Sequence, residues 1–152
     1  MFGSLQLKNR YITVISLICL VIFTALCFVM LRAGAPDTVE IGGESYTLRA
    51  GDEADIAAFV KLCGCELSEK LSERGITVPK HWNDLYTEYN ELQRQQGFDL
   101  VPYKGKSASE AVYAIADSEE FLTLLISDGR IIAAHICGAD GGDMKPLING
   151  GL

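Results

Sequence analysis

The side chains of this sequence that could carry metal or thiol chemistry are two histidines and a small set of cysteines. His81 and His135 are the only histidines, and Cys63, Cys65 and Cys137 are the cysteines beyond residue 32. Zinc sites usually contain Cys-x-x-Cys pairs, whereas a single residue separates Cys63 from Cys65 and no second pair follows. The sequence therefore predicts no metal site and no cofactor. Cys63 and Cys65 are the only nucleophile candidates for a thiol-based redox enzyme or a small hydrolase.

Motifs that identify hydrolases, phosphate-binding loops and calcium loops are missing from the sequence. It contains neither Gly-x-Ser-x-Gly nor His-Glu-x-x-His, and the glycine pairs at 42–43 and 141–142 lack the Gly-Lys-Ser/Thr ending of a phosphate-binding loop. Asp140 and Asp143 flank the second pair without the alternating oxygen ligands of an EF-hand. The sequence therefore predicts no catalytic residue.

Three aromatic side chains recur at a helical spacing. Trp82, Tyr86 and Tyr89 are four and three residues apart, so they share one face of a helix. Such a stripe could line a ligand groove, but aromatic residues at this spacing more often pack into a core. The periodicity predicts that all three belong to the core.

The longest uncharged segment lies near the amino terminus and predicts a transmembrane helix. Residues 11–31 contain no charged side chain over 21 residues, and a helix of this length spans about 31 Å, the thickness of the hydrocarbon core of a bilayer. Lys8 and Arg10 precede it and Arg32 follows it, so the positive-inside rule places the leader in the cytoplasm. We therefore expect a single-pass anchor in the cell membrane, with the lipid bilayer as its partner.

A cleaved signal peptide is the alternative to a retained anchor. Ala33, Gly34 and Ala35 fit a cleavage site, and cutting there leaves a secreted soluble domain that begins at Pro36. The apolar part of a signal peptide is normally about 7–15 residues long, so the longer run favours a retained anchor. The predicted organisation is a cytoplasmic leader at 1–10, a transmembrane helix at 11–32, a stalk at 33–37 and an extracytoplasmic domain at 38–152.

Charge is distributed unevenly along the chain. The formal net charge is −7, and all 20 acidic residues lie at or beyond Asp37, so the exported part is strongly acidic. An acidic surface repels nucleic acid and anionic lipid headgroups. The sequence therefore excludes nucleic acid as a partner and leaves an unknown protein or a second copy of the chain.

Apolar periodicity and turn signals predict an α+β fold for the exported part. Two segments with apolar residues at helical spacing end at Gly64 and Gly97, and Asp128-Gly129 is a strong signal for a two-residue hairpin turn. We expect a small two-layer domain with two helices packed on one face of an antiparallel sheet. The predicted elements are a hairpin at 39–48, a helix at 52–63, a strand ending at Val78, a helix from Pro79 to Gly97, and strands at 111–116, 121–127 and 130–137.

Several polar and aromatic motifs follow the predicted strand. They are Tyr-x-x-Tyr-Asn-x-Leu-Gln, then Gln-Gly-Phe-Asp-Leu, then Tyr-x-Gly-Lys. This combination resembles the bacterial domain-of-unknown-function 4830 family, and a looser resemblance extends from about Thr38 to Cys137. The resemblance implies an anchored, exported domain and no particular activity. Two positions depart from the family pattern, because Cys65 replaces an aromatic residue and 133–135 replace Gly-Gly-Asp. The matching positions are Tyr86, Tyr89, Asn90, Leu92, Gln93, Gln96, Gly97, Phe98, Asp99, Leu100, Tyr103, Gly105 and Lys106.

The Asp128-Gly129 turn also predicts which side chains share a face of the final hairpin. In an unbroken register, Cys137 lies on the face that packs against the two helices. We therefore expect Cys137 near Cys63. The two are predicted to form a disulfide, and the alternatives are a bridge from Cys137 to Cys65 or two buried free thiols.

The opposite face of that hairpin predicts an interface. Five apolar side chains point outward there in the same register, which is more than a solvated sheet needs and is typical of a surface that binds another protein. The alternative is that the hairpin at 39–48 or the glycine-rich tail after Cys137 covers this face. The five residues are Phe121, Leu125, Ile132, Ala134 and Ile136.

Together these features predict a membrane-anchored, extracytoplasmic binding or sensing module of unknown ligand. The chain offers a tether and a surface, whereas no motif defines a reaction centre. The alternatives are a thiol-based redox or small hydrolytic enzyme at the cell surface, and a secreted soluble domain.

Overall fold

The chain divides into two compact units, residues 1–36 and residues 37–152, which are described separately. In the first unit, residues 14–16 and 18–24 are helical. Within the described part of the chain, no helix is both long enough and apolar enough to cross a membrane. The leader, most of the predicted anchor, the predicted cleavage site and residues 33–36 of the stalk lie outside the described residues. The computed structural model describes residues 14–16, 18–24, 37–41 and 43–148.

The second unit has the predicted α+β fold with antiparallel strands. Its helices are α1 (Glu53–Leu62) and α2 (Asp84–Gln95), and its strands are β1 (Thr38–Ile41), β2 (Glu44–Thr47), β3 (Leu67–Thr77), β4 (Ser107–Ile115), β5 (Glu120–Ser127) and β6 (Arg130–Gly138). β1 and β2 form a hairpin of their own, and the other strands form one sheet in the order β3-β4-β5-β6. Every neighbouring pair is antiparallel.

The second helix begins later than predicted. The sequence pattern predicts a start at Pro79, but α2 begins at Asp84 because Asn83 caps it. The Asn83 side chain accepts a hydrogen bond from Tyr86 N at 3.0 Å, which satisfies one of the free backbone donors at the helix start. The helix ends before Gly97, as predicted, and Gly97 adopts a φ of 80° that favours glycine.

β6 contains one extra residue, Ile132, that the predicted register lacks. The predicted two-residue turn between β5 and β6 is present, and its residues have φ values of 51° and 71°. Beyond the turn, Ile131 pairs with Ile126, whereas Ala133 pairs with Leu125. Two steps along β6 therefore correspond to one step along β5, which defines a β-bulge.

The bulge reverses the two faces of β6 along the rest of the strand. Ala134 pairs with Leu124, and His135 pairs with Thr123. A shift of one residue moves every later side chain to the opposite face of a sheet. The predicted faces of β6 beyond Ile132 are therefore wrong.

The two helices lie on opposite faces of the large sheet, whereas the sequence pattern predicts both on one face. The α1 face, which includes Leu124 and Ala134, packs against α1 and the β1–β2 hairpin. The α2 face, which includes Leu125 and Ala133, packs against Tyr89 of α2 and the segments that flank this helix. Because both faces carry apolar side chains, each needs its own cover, and the predicted two-layer arrangement is wrong.

The outer edge of β6 is covered at both ends by other parts of the backbone. Near the start of the strand, Ile131 N donates a hydrogen bond to Leu48 O at 2.8 Å. Near its end, Ile136 and Lys145 exchange two backbone hydrogen bonds of 2.8 and 2.9 Å. The C-terminal segment thus pairs with the sheet beside β6.

Two buried glutamine side chains bind the middle of the same edge. Gln93 Oε1 accepts a hydrogen bond from Ala134 N at 2.9 Å, and Gln96 Nε2 donates to Ala134 O at 3.0 Å. Gln96 Oε1 also accepts from Leu147 N at 2.7 Å and Ile148 N at 3.1 Å. Gln93 Nε2 has no partner among the described residues. Gln96 is therefore the side chain that joins the end of α2, the sheet and the C-terminal segment.

Replacing Gln96 by leucine tests this joint. The change removes the partners of Ala134 O, Leu147 N and Ile148 N, and an unpaired buried group costs about 1–3 kcal/mol. We expect the free energy of unfolding, measured by denaturant titration, to fall by about 3 kcal/mol or more. Gln95→Leu, at an exposed neighbouring position, is the control and should stay within about 0.5 kcal/mol of the wild type. Equal stabilities of the two variants would contradict the role of Gln96.

Candidate functional site

A groove of about 360 Å³ lies between α2 and the part of the α2 face that this helix leaves uncovered. Its walls come from α2, from all four strands of the large sheet and from the C-terminal segment. Sites for small organic ligands typically have volumes of about 300–1,000 Å³. The lining residues are Arg74, Ile76, Leu85, Tyr86, Tyr89, Glu110, Thr123, Leu125, His135 and Met144.

Strand pairing assembles the floor of the groove. Arg74 pairs with Glu110 across β3 and β4, and Glu110 pairs with Leu125 across β4 and β5, so these three side chains share one face. His135 joins them from β6, opposite Thr123, because the bulge turns it toward the α2 face. No local motif marks Arg74 or Glu110, and only the sheet register brings them together.

Tyr89 and His135 form the polar centre of the groove. The Tyr89 hydroxyl lies 3.1 Å from His135 Nδ1, and the two rings meet edge to face. Burial raises the pKa of the Tyr89 phenol and lowers the pKa of His135, although the Glu110 carboxylate opposes the latter shift. Both side chains are therefore uncharged at neutral pH. When Tyr89 donates to Nδ1, the imidazole proton is on Nε2, which has no hydrogen-bond partner among the described residues.

An ion pair borders the same groove. Arg74 Nε and Nη2 each lie 2.7 Å from Glu110 Oε1. The guanidinium is largely exposed while most of the Glu110 side chain is buried, so the positive group is the one nearer to solvent. Because His135 is neutral, the two charges of this pair balance and the lining of the groove has no net charge.

The part of the α2 wall formed by Leu85 and Tyr86 is largely apolar. The Leu85 side chain is 64% exposed although it is large and hydrophobic. Tyr86 lies beside it and stacks with Trp82 at a centroid distance of 6.4 Å. Lys104 Nζ lies 3.8 Å from the centroid of the Trp82 ring, an arrangement typical of a cation–π contact. The groove thus combines an aromatic wall with a polar floor.

The predicted core role of the aromatic stripe holds for Trp82 and Tyr89 but not for Tyr86. Trp82 and Tyr89 both pack against the core cluster that contains Val78 and Leu100. Tyr86 lines the groove, and Tyr89 contacts both the core and the groove. The reason is that α2 lies at the β6 edge and leaves part of the α2 face open.

The five residues predicted to form an outward interface do not share a face. Ala134 and Ile136 belong to the core on the α1 face, whereas Leu125 and Ile132 belong to the core on the α2 face. These four side chains are buried, and Phe121 is partly buried. The shared outward face on which the prediction depends is therefore absent. Among the five, Leu125 contributes to the groove.

The three cysteines of this unit are free thiols. Cys63 and Cys65 pack against the core of the α1 face, whereas Cys137 pairs with Phe121 on the other face. The predicted Cys63–Cys137 disulfide requires both residues on one face of the sheet. Because of the bulge, Cys137 lies on the face opposite to Cys63. Burial raises the pKa of Cys63 to about 12 and also raises the pKa of Cys65. Because the thiolate is the reactive form, these environments disfavour thiol chemistry at neutral pH.

The remaining candidates for metal binding lie apart from the groove. His81 is exposed and precedes α2. Asp140 Oδ1 accepts a hydrogen bond from Gly142 N at 3.0 Å, which makes this acidic segment a local turn. Within the ranges that the structure describes, no three histidine, cysteine, aspartate or glutamate side chains are placed to hold a metal ion.

The fold and the groove define a small α+β domain with a ligand-sized site on one face of its sheet. Residues 63–136 match the family model DUF4830, a domain of unknown function. This match supports the resemblance inferred from the motifs. The matched segment includes every lining residue of the groove except Met144. No curated protein and no solved structure matches the chain.

The pH dependence of stability tests the buried, neutral state of His135. Its pKa is lowered from 6.5 in the folded state, so the unfolded chain binds the proton more tightly. Unfolding becomes easier as the pH falls from about 6.5 toward the folded pKa. We expect His135→Asn, whose side-chain oxygen replaces Nδ1 as an acceptor, to lose this part of the pH dependence. Denaturant titrations from about pH 7.5 to about pH 5 measure it, and identical slopes for variant and wild type would contradict the placement.

Proposed function

We propose that this chain is a membrane-anchored, extracytoplasmic binding module and that the groove on the α2 face is its ligand site. The observation that supports the site is the combination of an apolar wall from Leu85 and Tyr86 with polar groups from Tyr89 and His135 in a cavity of ligand size. Ligand sites typically combine a mostly apolar lining with a few polar groups that fix orientation.

The lining favours an organic ligand that is flat, largely apolar and equipped with hydrogen-bond acceptors. Tyr86 offers an aromatic ring to a flat apolar group. Thr123 offers a hydroxyl, and His135 Nε2–H offers a donor when Tyr89 occupies Nδ1. The balanced charges of the lining give no advantage to a strongly charged ligand, because such a ligand would lose hydration without gaining an unpaired counter-ion.

Binding can be measured with aromatic fragments that carry a carbonyl acceptor, using ligand-observed NMR. We expect the wild-type chain to bind such fragments and Leu85→Glu to lose them, because an added carboxylate at the groove resists desolvation by an apolar ring.

Leu62→Glu is the matched control for this experiment. Leu62 and Leu85 are 55% and 64% exposed, so neither substitution buries a charge in the core. Leu62 is the last residue of α1 and does not line the groove. Fragment binding should therefore survive in Leu62→Glu. Equal binding by both variants, or none by the wild type, would count against the proposed site.

The proposed anchor depends on residues 11–31. This segment is uncharged, and its helical residues include Ile18, Val21 and Phe23, each more than half exposed. Exposed apolar side chains along an uncharged helix suit a hydrocarbon environment. Lys8 and Arg10 favour a cytoplasmic amino terminus, which places the groove outside the cell.

Protease treatment of intact bacterial cells that express the chain tests the anchor. We expect the external protease to remove the domain and to leave an amino-terminal fragment in the membrane fraction, because a retained anchor is shielded by lipid. A control with permeabilised cells shows that the leader itself can be cleaved. Recovery of a soluble protein that begins at Pro36 would support the secreted alternative and overturn the anchor.

A further inference from the structure

The two outer edges of the large sheet differ in their cover. The β6 edge binds backbone and glutamine side chains from three other segments. β3 is the opposite edge, and within the described residues β4 is its only strand partner. Most of its 11 residues are exposed. A long edge strand with unpaired backbone groups can add a strand from another chain.

The charges of β3 are complementary to those of a second, antiparallel copy of the same strand. Its charged residues are Glu69, Lys70, Glu73 and Arg74. When Lys70 of one copy lies opposite Glu73 of the other, Glu69 lies opposite Arg74. Two-fold symmetry repeats both pairs, so all these charges face opposite charges.

A slip of one residue in either direction does not fit strand geometry. It would set Lys70 against Arg74, or Glu69 against Glu73. Lys70 and Arg74 pair with Tyr113 and Glu110, which lie on opposite faces of the sheet. The complementary register also places Leu71 beside the two-fold axis, where the second copy can cover a side chain that is 46% exposed.

An irregularity in β3 makes the complementary register compatible with strand geometry. Lys70 pairs with Tyr113 and Glu73 pairs with Ala111, so Leu71 is an extra residue in this ladder. Because Tyr113 and Ala111 are two residues apart, Lys70 and Glu73 have the same orientation although three residues separate them. Facing residues of an antiparallel pair must share their orientation, and these two positions do.

We propose that two copies of this chain form a dimer through antiparallel pairing of their β3 strands, with Lys70 opposite Glu73. The pairing joins two four-stranded sheets into one. Charges on an edge strand ordinarily prevent association, but here opposite charges meet when a second copy pairs in this register. Within a single copy Lys70 contacts Glu53 and Glu73, and Arg74 contacts Glu110. Lys70, Glu73 and the Arg74 guanidinium are partly or largely exposed, so these groups can also contact a second copy at little cost.

Charge reversal in the full-length chain, purified in a mild detergent, tests the dimer. Size-exclusion chromatography with light scattering gives the protein mass. We expect a dimer for the wild type and half that mass for Glu69→Arg and for Arg74→Glu, because each variant places like charges opposite each other in its own homodimer. Mixing the two variants restores opposite charges at both pairs, and we expect the mixture to regain the dimer mass.

Glu40→Arg is the matched control, since it makes the same charge change at an exposed position of β1, and it should remain dimeric. Circular dichroism checks that each variant folds, and Glu69→Arg with its control decides the question if Arg74→Glu does not fold. A monomeric wild type, a dimer that Glu69→Arg leaves intact, or a mixture of folded variants that stays monomeric would overturn the proposal.

Discussion

One extra residue in β6 determines which side chains of this strand lie on each face of the sheet. Backbone hydrogen bonds fix the pairing of antiparallel strands, so the insertion of Ile132 moves every later side chain of β6 to the other face. Ala134 then packs into the core of the α1 face, and His135 enters the groove beside Tyr89. Without the bulge, His135 would leave the groove and its imidazole ring would point into the α1 core.

The polar residues of the motif that carries the family resemblance bind α2 to the loop that follows it and to β6. Asn90 Oδ1 accepts a hydrogen bond from Leu100 N at 2.8 Å, which fixes the loop after the helix. Gln93 and Gln96 bind Ala134, the second residue beyond the bulge. The motif that carries the family resemblance is therefore largely a structural device, and it explains buried amides on a helix without requiring catalysis. Tyr86 and Tyr89 are the motif residues that face the groove.

Local signals in the sequence were sufficient for most of the elements but not for the site. The hairpin at 39–48, α1 and the Asp128-Gly129 turn depend on neighbouring residues, so they could be predicted. The late start of α2 had a visible signal, because Asn83 is a good helix-capping residue. The prediction instead followed Pro79, which is also typical of a helix start. The bulge had no visible signal in the sequence. Ile131 and Ile132 are both apolar, so they do not show where the inward–outward alternation of β6 changes. The bulge decides that His135 is the β6 residue in the groove. Arg74 and Glu110 could not be identified without the pairing of β3 with β4, which no local signal gives.

The register shift in β6 contributes to the ligand site by placing His135 on the α2 face. Nuclear Overhauser contacts of the His135 ring in the isotopically labelled full-length chain test this most directly. The ring centroids of Tyr89 and His135 are 5.5 Å apart, so the account predicts contacts between the protons of these two rings. A His135 ring that instead contacts Phe59 and Leu122 in the α1 core would indicate an unbroken register and contradict the account.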